Sequence, residues 1–145
     1  MAKEIKTHIQ IEASAEKVWQ VLTNFENYSN WNPFITSIKG EKVVGSNLSA
    51  EITPPNRKMM TFKPVVLKYD VNKELRWLGS AAIKGFFDGE HSFKIVEQEK
   101  GIVTFVHGEV FTGILVGLMP KMLVDTKLGF EQMNKAIKKE CETNT

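Results

Sequence analysis

Phe105, His107, Glu109 and Phe111 occupy alternate positions of one stretch, so in a strand they share a face. His91, Phe93 and Ile95 repeat the pattern just upstream. The intervening residues Thr104, Val106, Gly108 and Val110 are also largely apolar, so hydrophobicity alone does not say which side is buried. The aromatic side is bulkier and is placed inward. That puts His91, His107 and Glu109 among apolar neighbours, where desolvation moves imidazole and carboxyl groups toward neutral pKa values and suits them to proton transfer. They are the candidate catalytic groups. The same residues also read as hydrogen-bonding groups for a ligand and, most simply, as a satisfied buried pair that fixes the sheet. Two histidines and a glutamate also form a conceivable zinc ligand set, but the chain has no HExxH spacing and no cysteine cluster, so neither a metal nor another cofactor is expected.

The longest element positions these groups. From Gly113 to Cys141, the residues Leu115, Met119, Met122, Thr126, Phe130, Met133 and Ile137 recur every three or four positions, the period of one helix face. Pro120 is tolerated only near a helix start, so the regular helix should begin there and run for roughly 30 Å at about 1.5 Å per residue. Lys135, Lys138 and Lys139 suit the negative pole of its dipole.

Upstream, Ile5, Ile9 and Ile11 alternate with polar residues in a first strand with one wet face. Ser14 is placed to cap a short helix whose buried side carries Val18, Trp19, Val21 and Leu22. A second helical turn over 24–28 stops at Trp31-Asn32-Pro33-Phe34, because the residue before proline is pushed out of helical conformation. Strands follow over 35–44, 47–53, 60–71, 75–83, 90–99 and 102–111, with Pro64 marking an edge or bulge in the third of these. A strand, two short helices, about six antiparallel strands and a long helix make an α+β arrangement in one domain spanning 1–145. A sheet curled round a single helix leaves space that is hard to fill, and an internal cavity is expected there.

Other aromatic and sulfur side chains could line that cavity. Trp31, Pro33 and Phe34 would form its mouth, unless Trp31 is a core plug under the second short helix. Trp77 should face inward with Leu75. Phe86-Phe87, between Gly85 and Gly89, is either a lip over the opening or an ordinary turn packing two aromatics. Met119, Met122 and Met133 are core or, being adaptable, the wall of a pocket that accepts several shapes.

The segments Ile11-Glu12-Ala13-Ser14-Ala15-Glu16-Lys17-Val18-Trp19, Trp31-Asn32-Pro33, Gly85 through Phe93, Thr104 through Leu115 and Gly129 through Asn134 together resemble the START-like superfamily. This group, also called SRPBCC or polyketide-cyclase/dehydrase-like, has the helix-grip fold. The resemblance extends over nearly the whole chain with the segments in order. It implies about seven antiparallel strands wrapped round the last helix, with a lipophilic pocket between. On that expectation the ligand-facing set is Trp31, Phe34, Trp77, Phe87, His91, Phe93, Phe105, His107, Glu109, Phe111, Met119, Met122 and Phe130. The fold hosts lipid carriers, hormone receptors, aromatic cyclases and chaperone activators, so it does not dictate function. Three readings stand. The first is binding of a small apolar molecule of aromatic, polyketide or lipid type. The second is a cyclase- or hydrolase-type enzyme using the His/Glu groups. The third is an interaction module like the chaperone-ATPase activators.

Composition narrows the partners. The 145 residues are 42% hydrophobic and 25% charged, with a net charge of +2. Only Arg57 and Arg76 are arginines, and the lysines alternate with acids, so nucleic acid is not expected as a partner. There is no Walker-type loop, no GxGxxG and no GxSxG. The longest apolar run, Ile114 to Met119, is far short of the ~20 residues of a membrane span, and the N-terminus does not read as a signal peptide. Cys141, the single cysteine, is expected at a frayed helix end without a catalytic role, and a chain without disulfides fits the reducing cytoplasm. A homodimer is left open.

Overall fold

A computed structural model describes residues 2–80 and 85–143. The chain forms β1 (Ala2–Ile11), α1 (Ala15–Thr23), a 3₁₀ turn, α2 (Tyr28–Trp31) and then β2 (Ile35–Lys39), β3 (Ser49–Ile52) and β4 (Met60–Phe62). It continues through β5 (Val65–Asp70), β6 (Glu74–Ser80), β7 (Asp88–Glu99) and β8 (Ile102–Thr112) to α3 (Pro120–Thr143).

Local chemistry sets the first boundaries. The Ser14 hydroxyl accepts the backbone N–H of Lys17 at 3.1 Å and caps α1. The Asn32 side-chain oxygen accepts the N–H groups of Phe34 and Ile35, at 3.0 and 2.9 Å, and turns the chain out of α2 into β2. The Tyr28 hydroxyl donates to the Leu22 carbonyl and ties the two short helices together.

The strands make two antiparallel sheets, in the orders β1-β8-β7-β6-β5 and β2-β3-β4. The strand expected over 60–71 is two strands, because Pro64 has no N–H to continue a ladder, and its halves β4 and β5 belong to different sheets. The sheets stay joined at that break: Asn47 bridges to Val65, and Leu48 donates to the Pro64 carbonyl at 2.8 Å. The strand expected over 35–44 ends at Lys39, and that over 47–53 is trimmed to Ser49–Ile52. The strand expected over 75–83 is described to Ser80; its last positions lie outside the described residues.

Helix α3 packs its inner face on the five-stranded sheet through Thr126, Phe130, Met133, Ile137 and Cys141, all buried. Cys141 is a correction to the sequence reading. It is fully buried rather than frayed, because the stripe continues one turn past Ile137, and burial pushes its thiol up to about 12. Gly129 lets the three-stranded sheet approach the helix, since a Cβ there would stand 2.3 Å from the Phe34 ring and 3.2 Å from Pro55. An ion pair between Arg57 and Asp125, 2.9 Å apart, fastens the β3–β4 turn to the first part of the helix.

Candidate functional site

Strand register builds the site. Trp77 on β6 pairs with His91 on β7, which pairs with Glu109 on β8. In the next inward-facing row Leu75 pairs with Phe93, Phe93 with His107, and His107 with Thr7 on β1. The two histidines are thus diagonal neighbours on one face of the sheet. The inward direction of Phe105, His107 and Phe111 is that of the bulkier side of β8, and all three are buried.

A small cavity of about 60 Å³ lies over the Trp77–His91–Glu109 row. The five-stranded sheet contributes Trp77, Gly79, Gly89, His91, Glu109 and Phe111 to its wall, and the bend before β7 adds Phe87. The other wall is Phe34 with Ala50, Ile52, Pro54, Met60, Phe62 and Pro64, and the helix adds Met122 and Thr126. Among the residues expected to face a ligand, Phe34, Trp77, Phe87, His91, Glu109, Phe111 and Met122 meet at this cavity. Phe93, Phe105, His107 and Phe130 are packed in the layer behind it. Trp31 packs edge-on against Tyr28 instead of the cavity wall, and Met119 lies against the core just before α3. In the Phe86-Phe87 pair, Phe87 packs on Phe111 at 5.4 Å while Phe86 is partly exposed.

Behind the cavity runs a buried polar chain. His91 Nδ1 lies 3.5 Å from Glu109 Oε1, and His91 Nε2 lies 2.7 Å from His107 Nε2. His107 Nδ1 lies 2.9 Å from Asn134 Oδ1 on α3. Asn134 Nδ2 donates to Thr7 Oγ1 at 2.8 Å, and Thr7 Oγ1 donates to the His107 carbonyl at 2.8 Å. Phe130 stacks on His107, with ring centres 3.9 Å apart.

Burial displaces the groups in opposite directions. It pushes Glu109 up to about 8 and lowers His107 to about 3. His91 falls well below the ordinary imidazole value, through burial first and the neighbouring His107 second. At neutral pH both rings are uncharged and Glu109 holds its proton. Among the described residues no group of three or more His, Cys, Asp or Glu is placed to hold a metal ion.

Asn134 and Thr7 were not singled out from the sequence, although both carry a signal. Thr7 shares the alternation of Ile5, Ile9 and Ile11, and Asn134 sits one turn beyond Phe130 on the apolar helix face. A polar residue on a buried face needs a partner, and these two partner each other.

Gly89 makes room for the carboxyl: a Cβ there would lie 2.0 Å from Glu109 Oε2. Gly89→Ala should therefore turn the Glu109 carboxyl away from His91 toward the open side of the cavity. Followed by ¹³C NMR of that carboxyl, its titration midpoint is expected well below about 8. An unchanged midpoint would contradict this packing.

A sheet of this order wrapped on a C-terminal helix, with a cavity between, defines a helix-grip fold. Residues 2–142 match the family described as "Polyketide cyclase / dehydrase and lipid transport", and the chain belongs to it. Three solved structures show the same fold at low identity. The Zhui aromatase/cyclase from Streptomyces sp. R1128 is 11% identical, with 98% of this chain and 94% of that one covered and a TM-score of 0.81. A START superfamily protein from Mycobacterium smegmatis is 20% identical, with 98% and 99% covered and a TM-score of 0.75. Norcoclaurine synthase from Thalictrum flavum, in complex with dopamine and hydroxybenzaldehyde, is 14% identical, with 100% and 89% covered and a TM-score of 0.76. No curated protein matches the sequence. No helix among the described residues is long and apolar enough to cross a membrane.

Proposed function

We propose that the protein binds a small, mostly apolar molecule between its two sheets and α3, with the Glu109–His91 pair holding the ligand's polar group. One observation carries this reading. A carboxyl that is 15% exposed and a buried imidazole nitrogen, 3.5 Å apart, face the same mostly apolar cavity. A wall of aromatic and aliphatic groups with a few convergent polar atoms is the usual make-up of a ligand site. At about 60 Å³ the cavity is too small for a multi-ring compound. Entry then requires the three-stranded sheet to swing outward, and the Arg57–Asp125 pair is the fastening that would open.

Acid–base catalysis is the second reading. Neighbouring groups whose environments drive their pKa values apart are a common basis for acid and base roles, and Glu109 and His91 are such neighbours. In that case Glu109 is the acid, His91 the base and His107 the group that orients His91.

A thermal-shift screen against flavonoids, polyketides, fatty acids and sterols tests the binding reading. A ligand at 100 times its dissociation constant should add ~2.7 kcal/mol, or roughly 5–11 °C at ~2–4 °C per kcal/mol. The shift should shrink in a Glu109→Leu variant. No shift from any class would sink the reading. Turnover of a hit, lost in Glu109→Gln and His91→Phe, would establish the catalytic one.

A further inference from the structure

The buried chain has only one consistent direction, and its anchor is at the far end from the cavity. Thr7 has a single hydroxyl proton, and its contact with the His107 carbonyl uses it, since a carbonyl can only accept. Thr7 Oγ1 must therefore accept from Asn134, which points the Nδ2 of that amide at Thr7 and its Oδ1 at His107. Oδ1 can only accept, so His107 carries its hydrogen on Nδ1. In a neutral ring the other nitrogen is then a bare acceptor, and His91 Nε2, 2.7 Å away, must be the donor. His91 is left with a bare Nδ1, beside Glu109 at the cavity wall. The reverse direction would press the Thr7 oxygen against the His107 carbonyl at 2.8 Å with no hydrogen between them.

We infer that Thr7 and Asn134 are positioning residues that set the tautomers of both histidines, so that the cavity presents the bare His91 Nδ1 beside the Glu109 carboxyl and selects a ligand with a neutral hydroxyl, a phenol or enol, over a carboxylate. A hydroxyl both donates and accepts, so one such group can donate to His91 Nδ1 and accept from the protonated Glu109. An ether or carbonyl leaves Nδ1 without a donor. A carboxylate can accept from Glu109 but brings no donor for Nδ1, and its charge meets no cation in the site. The ligand's chemistry rests on the small-molecule reading above, while the polarity of the chain does not depend on it.

The test has two arms. In ¹⁵N-labelled protein at pH 7, long-range ¹H–¹⁵N spectra of the histidine rings should show His107 protonated on Nδ1 alone and His91 on Nε2 alone. The opposite tautomers, or a cationic ring, overturn the polarity. Thr7→Val removes the anchor and lets the Asn134 amide turn over, so both rings should populate their reverse tautomers together; Thr7→Ser, which keeps the hydroxyl, should restore the native pair. A purely structural Thr7 would leave the tautomers in place in the valine variant, and that result overturns its positioning role. If the valine variant does not fold, the wild-type spectra and Thr7→Ser still decide the polarity.

In the second arm, phenol, anisole and benzoate are titrated by calorimetry. Phenol is expected to bind about tenfold more tightly than the other two, the ratio that one unpaired buried acceptor produces, and less selectively in Thr7→Val. Equal or reversed preference overturns the hydroxyl selection. Binding of none of the three counts against the small-molecule reading itself, while the ring spectra independently decide the polarity.

Discussion

Replacing Phe130 with alanine is expected to cost about 3–5 kcal/mol, the range for removing a buried aromatic ring. The ring is fully buried and joins both walls of the site. One face stacks on His107, with centres 3.9 Å apart and planes 11° apart; it also contacts His91 at 4.9 Å and meets Phe34 nearly edge-on at 5.4 Å. No neighbour can fill the space cheaply, because the histidines are held by hydrogen bonds and Phe34 is wedged against Gly129. In guanidinium titrations the midpoint should drop with an unchanged slope, and the melting temperature should fall by roughly 6–20 °C at ~2–4 °C per kcal/mol. Phe34 and His91 both line the cavity, so the new void should join it. Benzene should then raise the melting temperature of the variant more than that of the native chain, because apolar engineered cavities stay dry and accept such ligands. A loss below about 1 kcal/mol would mean that the helix had collapsed onto the sheet.

The parts of this arrangement that rest on strict periodicity were legible in the sequence. The alternation of Phe105, His107, Glu109 and Phe111 placed the ionisable groups on one face, and the helical stripe through Phe130 placed the helix over them. Two things were not legible. The first is which of these side chains reach the cavity and which lie a layer behind. His107 and Glu109 are two residues apart on the same face, yet only Glu109 lines the cavity, because Phe130 from the helix covers His107. That depends on where a helix crosses a sheet, which no local pattern records. The second is the opposite wall. Ala50, Ile52, Met60 and Phe62 read as parts of two ordinary strands, and they reach the site because Pro64 divides the long strand and sends its first half into a separate sheet.

The polar chain explains why such a core tolerates three ionisable groups. Buried polar atoms are costly when unpaired and nearly neutral when every one has a partner. From Thr7 to His91 each donor meets an acceptor, so the cost concentrates at the cavity end, where Glu109 and His91 Nδ1 are 3.5 Å apart, longer than an ordinary hydrogen bond. Along this polar chain the least satisfied point is thus the one a ligand can reach; away from it, Trp31 Nε1 and Asn32 Nδ2 are also buried without a hydrogen-bond partner.

The same end of the chain controls how stability depends on pH. Glu109 titrates near 8 in the folded protein and near the ordinary 4.5 when unfolded. Between those values the folded chain holds a proton that the unfolded chain has released, so stability falls as pH rises through this window and levels off above it. The histidines act in the opposite sense. Their folded values lie below the ordinary 6.5, so on acidification the unfolded chain takes up protons that the folded one refuses, and stability falls as pH drops below about 6.5. Two histidines outweigh one carboxyl on the acid side, and the carboxyl acts alone on the alkaline side until about pH 9, where the buried Cys141 thiol adds a fall of its own. The melting temperature should therefore peak near pH 6.5. At pH 8 it should be lower by about 2 kcal/mol, or roughly 4–8 °C, taking 1.36 kcal/mol per pKa unit over the interval. Glu109→Gln keeps the shape of the side chain and supplies a permanent N–H for His91 Nδ1. It should abolish the alkaline fall, leave the acid one, and make the variant about 2–4 kcal/mol more stable than the native chain at pH 8. Melting curves from pH 5 to 9 on both proteins decide this. If Glu109→Gln lowers stability across the range and the alkaline fall persists, the carboxyl is ionised in the native protein and the neutral acid–base pair at the cavity does not exist.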